Sequence, residues 1–298
     1  MAEAALLESG ERAAFHGRPS DGIAPLQQFL YSAWQSDPNR PRAQWLLGVC
    51  LAAGGMFGGA AAQLQPLLEL PANADAARRH YAAMAAGTLS SIHRQVGRFA
   101  EARSYDEWAQ QVAPDDPFVA FDSALGLSAD AVGLGESQVA LDELTRARSL
   151  CGDTSEWWRE RVRLGWVQAE VALLLDRPAD AAAALARSVA EAEHVGAPRH
   201  VAKSLSFLAV AQQSLNDPSA MQTLGRAALL AESLGAWPLV WATRGLLAVV
   251  LRNSQPDEAE RSRRSAEHAV RIIAADLPAE LATEFAARPD VAPLLLGN

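Results

Sequence analysis

The chain has 298 residues, half of them hydrophobic and 20% charged, which excludes a disordered polypeptide and allows a large or continuous apolar core. A formal net charge of −9 argues against bulk attraction to nucleic acid or an anionic membrane, so neither is expected as a direct partner. Cys50 and Cys151 stand far apart and without metal-ligand spacing, which excludes a disulfide framework and fits a reducing, cytoplasmic setting.

Alanine is abundant and β-branched residues are sparse, which favours helix over strand. The N-terminal stretch MAEAALLESGERAAFHGRP carries early acidic residues and no basic-then-apolar pattern, so it is not expected to act as a secretory leader. A first helix pair is expected over residues 2–38, its second helix opening at Pro19 with the small residue Gly22 following. The next pair, 41–71, begins with AQWLLGVCLAAG. No charge occurs between Arg42 and Glu69, a length that could span a bilayer. Two Gly-Gly pairs interrupt it, and they read as a tight turn between two buried helices of a soluble hairpin.

The third pair, 74–115, contains HYAAMAAGTLSSIHRQVG and then VGRFAEARSYDEWAQQVAPDD, with Phe99, Ala102 and Ala109. The fourth, 117–152, has Ala140 and Ala147 on its second helix. The fifth, 155–195, has Pro178, Ala181 and Ser188. The sixth, 198–235, has Pro218, Ala220 and Ala227. The seventh, 238–273, has Pro256, Ala259 and Ala266. After a break at Leu277-Pro278, a short amphipathic helix to Ala287 is expected to cap the array within 278–295.

The first small residues fall at Gly22, Ala60, Ala102, Ala140, Ala181, Ala220 and Ala259, with spacings of 38, 42, 38, 41, 39 and 39. Pro or Phe stands three positions before five of them (Pro19, Phe57, Phe99, Pro178, Pro256), where a missing N–H costs a helix nothing. Small residues seven apart let two helices approach closely. Each pair shows apolar surface on more than one side and must stack on its neighbours.

These positions resemble the tetratricopeptide repeat (TPR) family. The third unit supplies Leu89, Ser90, Gly97, Phe99, Ala102, Ala109 and Pro114, and the second supplies Leu47, Gly48, Gly55, Phe57 and Ala60. The likeness covers residues 2–273. The period is about 40 rather than about 34, and Asp106 stands where an aromatic residue is expected on the second helix. The longer period, and LNDPSAMQTLGRAALLAESLGA in particular, resembles the TPR-like regions of MalT/LuxR-type regulators, whereas HEAT-like pairs also have periods near this length. The resemblance implies an all-α, right-handed α–α superhelix of about seven hairpins plus a C-terminal capping helix, forming one domain.

In such stacks the first helices line a concave groove. Carried over unit by unit, the resemblance implies groove positions at Arg42 and Trp45, Arg94 and Gln95, Arg163 and Trp166, Gln212 and Gln213, and Trp241, Arg244 and Arg252. An Arg fork holds a carboxylate bidentately and Trp buries an apolar side chain beside it, which suits a peptide with an acidic or terminal carboxylate. Trp45, Trp166 and Trp241 could equally be core residues packed between helices.

Little else carries chemistry. GGMFGG lacks the Lys and Ser/Thr of a phosphate-binding loop. His194 and His200 have no Cys near them that would complete a zinc site, and no G-x-S-x-G motif occurs. No cofactor and no metal are expected. The expected function is a non-enzymatic scaffold or adaptor binding a protein or peptide partner in the groove. The alternative is a regulatory module sensing a small-molecule or peptide ligand and acting through a partner; an enzyme comes third.

Overall fold

The structure, a computed structural model, describes residues 2–34 and 36–296. Among them are sixteen α-helices and no strand. They run as consecutive antiparallel pairs: α1 (Ala2–His16) with α2 (Pro19–Ser32), α3 (Arg40–Ala53) with α4 (Phe57–Leu64), and α5 (Ala76–Val96) with α6 (Phe99–Val112). Next come α7 (Pro117–Gly133) with α8 (Ser137–Leu150), α9 (Trp158–Leu174) with α10 (Pro178–His194), and α11 (Pro198–Ser214) with α12 (Ala220–Ser233). The array finishes with α13 (Trp237–Leu251) and α14 (Pro256–Asp276), then α15 (Ala279–Ala287) and α16 (Ala292–Leu296). Short 3₁₀ turns precede α5 and α9. The architecture is the right-handed TPR-like superhelix, with the odd-numbered helices α1 to α13 inside and their partners outside.

The small residues of the repeat do the packing their spacing predicts. Ala60, Ala102, Ala140, Ala147, Ala181, Ala227 and Ala266 are wholly buried. A Cβ on Gly22 would lie 2.8 Å from the Cys50 sulfur, and one on Gly165 would lie 1.9 Å from the Ser188 hydroxyl. The turns inside the pairs from α3–α4 to α11–α12 pass through the left-handed region. Gly97 does so at φ 91°, and Asp176 and Asn216, whose short polar side chains tolerate it, at φ 56° and 55°.

The uncharged stretch folds as the α3–α4 hairpin, and no helix among the described residues is long and apolar enough to cross a membrane. Its two glycine pairs divide the labour in a way the expected tight turn did not capture. Gly54-Gly55 forms the turn, with Gly55 at φ 84°. Gly58-Gly59 lies inside the first turn of α4 and seats the far end of the chain. The Gly59 N–H donates to the Asp276 carboxylate at 3.0 Å, and a Cβ on Gly58 would lie 2.0 Å from the Asp276 carbonyl oxygen. The carboxylate therefore sits at the positive end of α4.

This contact is one of several that draw the superhelix round on itself. Arg98, before α6, makes a bidentate pair with Glu284 of α15 at 2.6 and 2.9 Å. The Arg288 guanidinium donates to the Gln95 carbonyl, and Phe285 is fully buried in a core shared with α3 and α5. On the other side, His16 of α1 stands 3.2 Å from the Val195 carbonyl, and its ring lies 5.1 Å from that of Trp158. The capping helix thus covers α14 and also bridges to α5, closing the array across its own seam.

Candidate functional site

Closure leaves the inner helices facing one another across an interior that collects most of the buried charge. Arg94 of α5 is fixed by acceptors from three helices. It donates to Ser90 Oγ at 2.7 Å, to Asp106 Oδ2 at 2.8 Å and to Asp130 Oδ1 at 2.8 Å. Both carboxylates are buried, and burial raises their pKa values against the pull of Arg94. Three charges with two negative among them favour one shared proton on the acid pair. Gly126 leaves room for this cluster: a Cβ there would lie 2.1 Å from Asp106 Oδ2.

The three arginines of EWWRERVRLGW point in three directions, as their spacing requires. Arg161 turns outward to Glu191. Arg163 pairs with Asp122 of α7. Arg159 donates to Glu160 Oε1 at 3.0 Å, with its guanidinium 5.1 Å from the Phe15 ring. Arg159 and Arg163 remain 18% and 22% exposed although protein surrounds Arg159, so both border open space rather than a packed core. A cavity of about 460 Å³ opens between α1 and α9, bordered by Glu8, Glu11, Phe15, Trp45, Trp158 and Arg159.

The first turns of α11 add Arg199, His200 and Lys203. His200 is 3% exposed, stacked on Trp166 at 5.5 Å between ring centroids and edge-on to Trp158 at 5.0 Å. Burial and the surrounding cations hold it well below the ordinary imidazole range, so it is neutral. The Lys203 ammonium lies 4.3 Å from the Trp166 ring centroid. Neither Lys203 nor Arg199 has a carboxylate within ion-pair distance among the described residues, and Arg199 Nε and His200 Nδ1 are buried without a hydrogen-bond partner. Burial pushes Lys203 down to about 8, with Glu170 opposing the shift, and pushes Arg199 down to about 10, helped by repulsion from Arg159. Burial raises the Cys50 thiol to about 12, so it is protonated and unreactive.

The positions implied by the resemblance are dispersed. Arg163 and Trp166 lie in this interior, Trp166 6% exposed and donating to Ser204 Oγ at 2.8 Å. Arg94 is committed to its acid pair. Trp45, 7% exposed, donates to Thr88 Oγ1 at 3.2 Å beside the α1–α9 cavity, where Arg42 is paired with Glu11 at 2.6 Å. Gln95 bonds the Ser91 carbonyl, Gln212 is half-buried, and Gln213 is exposed. Trp241 is half-buried under the cap, 6.2 Å from Phe285 between centroids. Arg244 turns toward the outer helices, bidentate with Glu232 at 2.8 and 2.5 Å, and Arg252 is exposed at the end of α13. Sequence reasoning did not single out Arg199, His200 and Lys203 as one group. The signal was present, since Lys203 is the single lysine of the chain and stands one helical turn after Arg199.

No group of three or more His, Cys, Asp or Glu among the described residues could hold a metal ion. What the interior offers is two cations without an ion pair, one of them over the Trp166 indole, an arrangement that receives a carboxylate with an apolar group attached.

No family model matches the sequence, and no curated protein matches it. Among solved structures, it is similar to a Rap protein complexed with competence and sporulation factor, at a TM-score of 0.62 and 12% identity, over 95% of this chain and 80% of that one. It is also similar to aspartyl phosphate phosphatase F from Bacillus subtilis, at a TM-score of 0.51 and 11% identity, over 100% of this chain and 82% of that one. At these identities the likeness shows a shared helical-repeat fold.

Proposed function

We propose that this protein is a non-enzymatic adaptor whose interior receives an acidic segment of a peptide or protein, without a cofactor. Arg199 and Lys203 meet its carboxylates, and Trp158 and Trp166 pack against the adjoining apolar side chain. One observation carries the reading: these two half-buried cations have no carboxylate within ion-pair distance among the described residues, Glu170 acting on Lys203 only from farther off, while Arg42, Arg94, Arg159 and Arg163 are paired. Folding has already desolvated them, so an incoming carboxylate meets prepared donors rather than hydrated ones. Arg163 and Trp166 are the nearest of the groove positions to this pair, with Trp45 at the α1–α9 cavity; Gln95, Gln212, Gln213, Trp241 and Arg252 extend the groove beyond it. A Rap protein of the same fold has been crystallised with competence and sporulation factor, which supports a ligand-binding role for such an interior.

The test is calorimetric titration of the wild type and the Arg199→Met/Lys203→Met double variant with acidic and matched basic peptides. Binding of acidic peptides by the wild type, and the loss of one binding site from the stoichiometry in a folded double variant, are expected. Equal binding by both proteins would remove the assignment.

A second reading, a ligand-sensing module akin to the MalT/LuxR-type regions, is favoured by the closed seam. A ligand entering the interior would bear on the Asp276–Gly59 and Arg98–Glu284 contacts and so alter the outer surface. Native mass spectrometry separates the two, a retained small molecule favouring the sensor and a retained polypeptide the adaptor.

A further inference from the structure

On the convex side, opposite the interior, a groove of about 310 Å³ opens between α8 and α10 down to α9. Leu141 and Leu144 stand on one face of α8, with Val171 of α9 and Leu175 just past its end facing them. Leu144 and Val171 form a dry floor at 3% and 2% exposure, and Leu141 is 38% exposed at the lip. Apolar residues at three- and four-residue spacing ordinarily face a core, and here two such stripes converge on solvent.

The rim is cationic. Arg148 of α8, Arg177 of the α9–α10 turn and Arg187 of α10 border the groove. Arg177 is neutralised by Asp180 at 2.5 Å, whereas Arg148 and Arg187 are exposed and form no ion pair among the described residues. On a molecule with 35 acidic and 26 basic residues, two uncompensated arginines flanking an apolar cleft are a local reversal of the overall field.

We propose that this groove docks an acidic segment of another protein, which seats one bulky apolar side chain between α8 and α10 while its flanking carboxylates meet Arg148 and Arg187. The positive rim disfavours a basic segment, and the net negative charge of the whole molecule disfavours a nucleic-acid backbone. The volume takes one large side chain rather than a whole helix face, so the partner reads as a short linear motif. This surface is separate from the interior site and leaves that site free to be occupied at the same time.

The test uses short fluorescein-labelled synthetic peptides carrying one Leu, Phe or Trp between Glu residues, with matched peptides in which Lys replaces Glu. Fluorescence anisotropy is read for the wild type, for R148E/R187E, for L141S, for R199M/K203M and for the four substitutions R148E/R187E/R199M/K203M combined. At least one acidic peptide should bind the wild type, weaken with added salt, and weaken about tenfold in R148E/R187E. L141S should weaken it by a smaller factor, and the Lys peptides should not bind. R199M/K203M, which removes the interior site, should keep binding at the groove, and adding R148E/R187E to it should take that binding away, so that failure here and failure of the interior assignment are told apart. Leu141, Arg148 and Arg187 are exposed and Arg199 and Lys203 have no ion pair to lose, and circular dichroism checks that each variant is folded. Absence of binding by every acidic peptide would overturn the proposal, as would unchanged affinity in R148E/R187E. Self-association of the wild type that R148E/R187E abolishes would assign the groove to a second copy instead.

Discussion

Two arginines inside the superhelix should respond in opposite ways to replacement by methionine. Arg94 donates to Asp106 and Asp130 at 2.8 Å each, and those carboxylates are 1% and 0% exposed. Arg94→Met strips both of their ion-pair partner and leaves Ser90 donating to Asp106 only, at a cost of about 3–5 kcal/mol. For a domain of this size that lowers the thermal midpoint by about 10 °C. Arg199 is held as deeply but has no carboxylate partner, and burial depresses its pKa to about 10. Arg199→Met removes a desolvated charge and orphans no acceptor, so stability should stay within about 1 kcal/mol of the wild type or rise. Urea unfolding followed by far-UV circular dichroism measures both. An Arg199→Met loss as large as that of Arg94→Met would show that Arg199 is a structural residue, and the reasoning that frees it for a ligand would fall.

Three further outcomes follow from the same geometry. The raised pKa values of the Asp106–Asp130 pair mean that the folded state binds more protons than the unfolded chain, so its contribution is present in acid and is lost as pH rises through the raised value. Asp130→Asn keeps the shape without the second charge; in thermal melts it should exceed the wild type near and above neutrality, with the gap closing in acid, and a pH-independent gap would contradict the shared proton. Gly58→Ala drives a methyl into the Asp276 carbonyl, 2.0 Å from the Cβ position, whereas Gly59→Ala meets nothing nearer than 3.8 Å. Hydrogen exchange should quicken in α4 and at the end of α14 for the first substitution only, and equal behaviour would mean the seam does not rest on this contact. Arg163→Ala should weaken acidic-peptide binding in calorimetry several-fold while Arg244→Ala, whose side chain engages Glu232 on the convex side, should not; the reverse order would place the groove elsewhere.

The repeat was legible because its cause is local. Helices that must approach closely need a small residue at the crossing, and Ala60, Ala102, Ala140 and Ala181 sit at those crossings wholly buried. The closure was not legible. Gly59 and Asp276 are 217 positions apart, and nothing in FGGAAAQL or RIIAAD announces the other. The arginines show the limit for the site. Position along an inner helix marks Arg94, Arg163 and Arg244 alike, but what each one does depends on carboxylates supplied by other helices: Asp106 and Asp130, Asp122, and Glu232. One clue was readable. Asp106 occupies a position where the resemblance expects an aromatic residue, and a carboxylate placed in a helix crossing must have a buried partner. Arg199 and Lys203 lacked such a clue, because a cation without a partner leaves no second residue to notice.

Lys203 offers the most direct measurement, since lysine-selective ¹³C labelling gives one side-chain signal to follow by NMR as pH is raised. The free protein should titrate at about 8, below the ordinary 10.5, because burial beside Arg199 and Arg163 disfavours the ammonium. Saturation with an acidic peptide should move the titration back toward 10.5, and the peptide's affinity should fall as pH rises past about 8, where the free site loses its proton. An ordinary lysine titration in the free protein, or a depressed one unmoved by a bound acidic peptide, would contradict an interior built to receive a carboxylate.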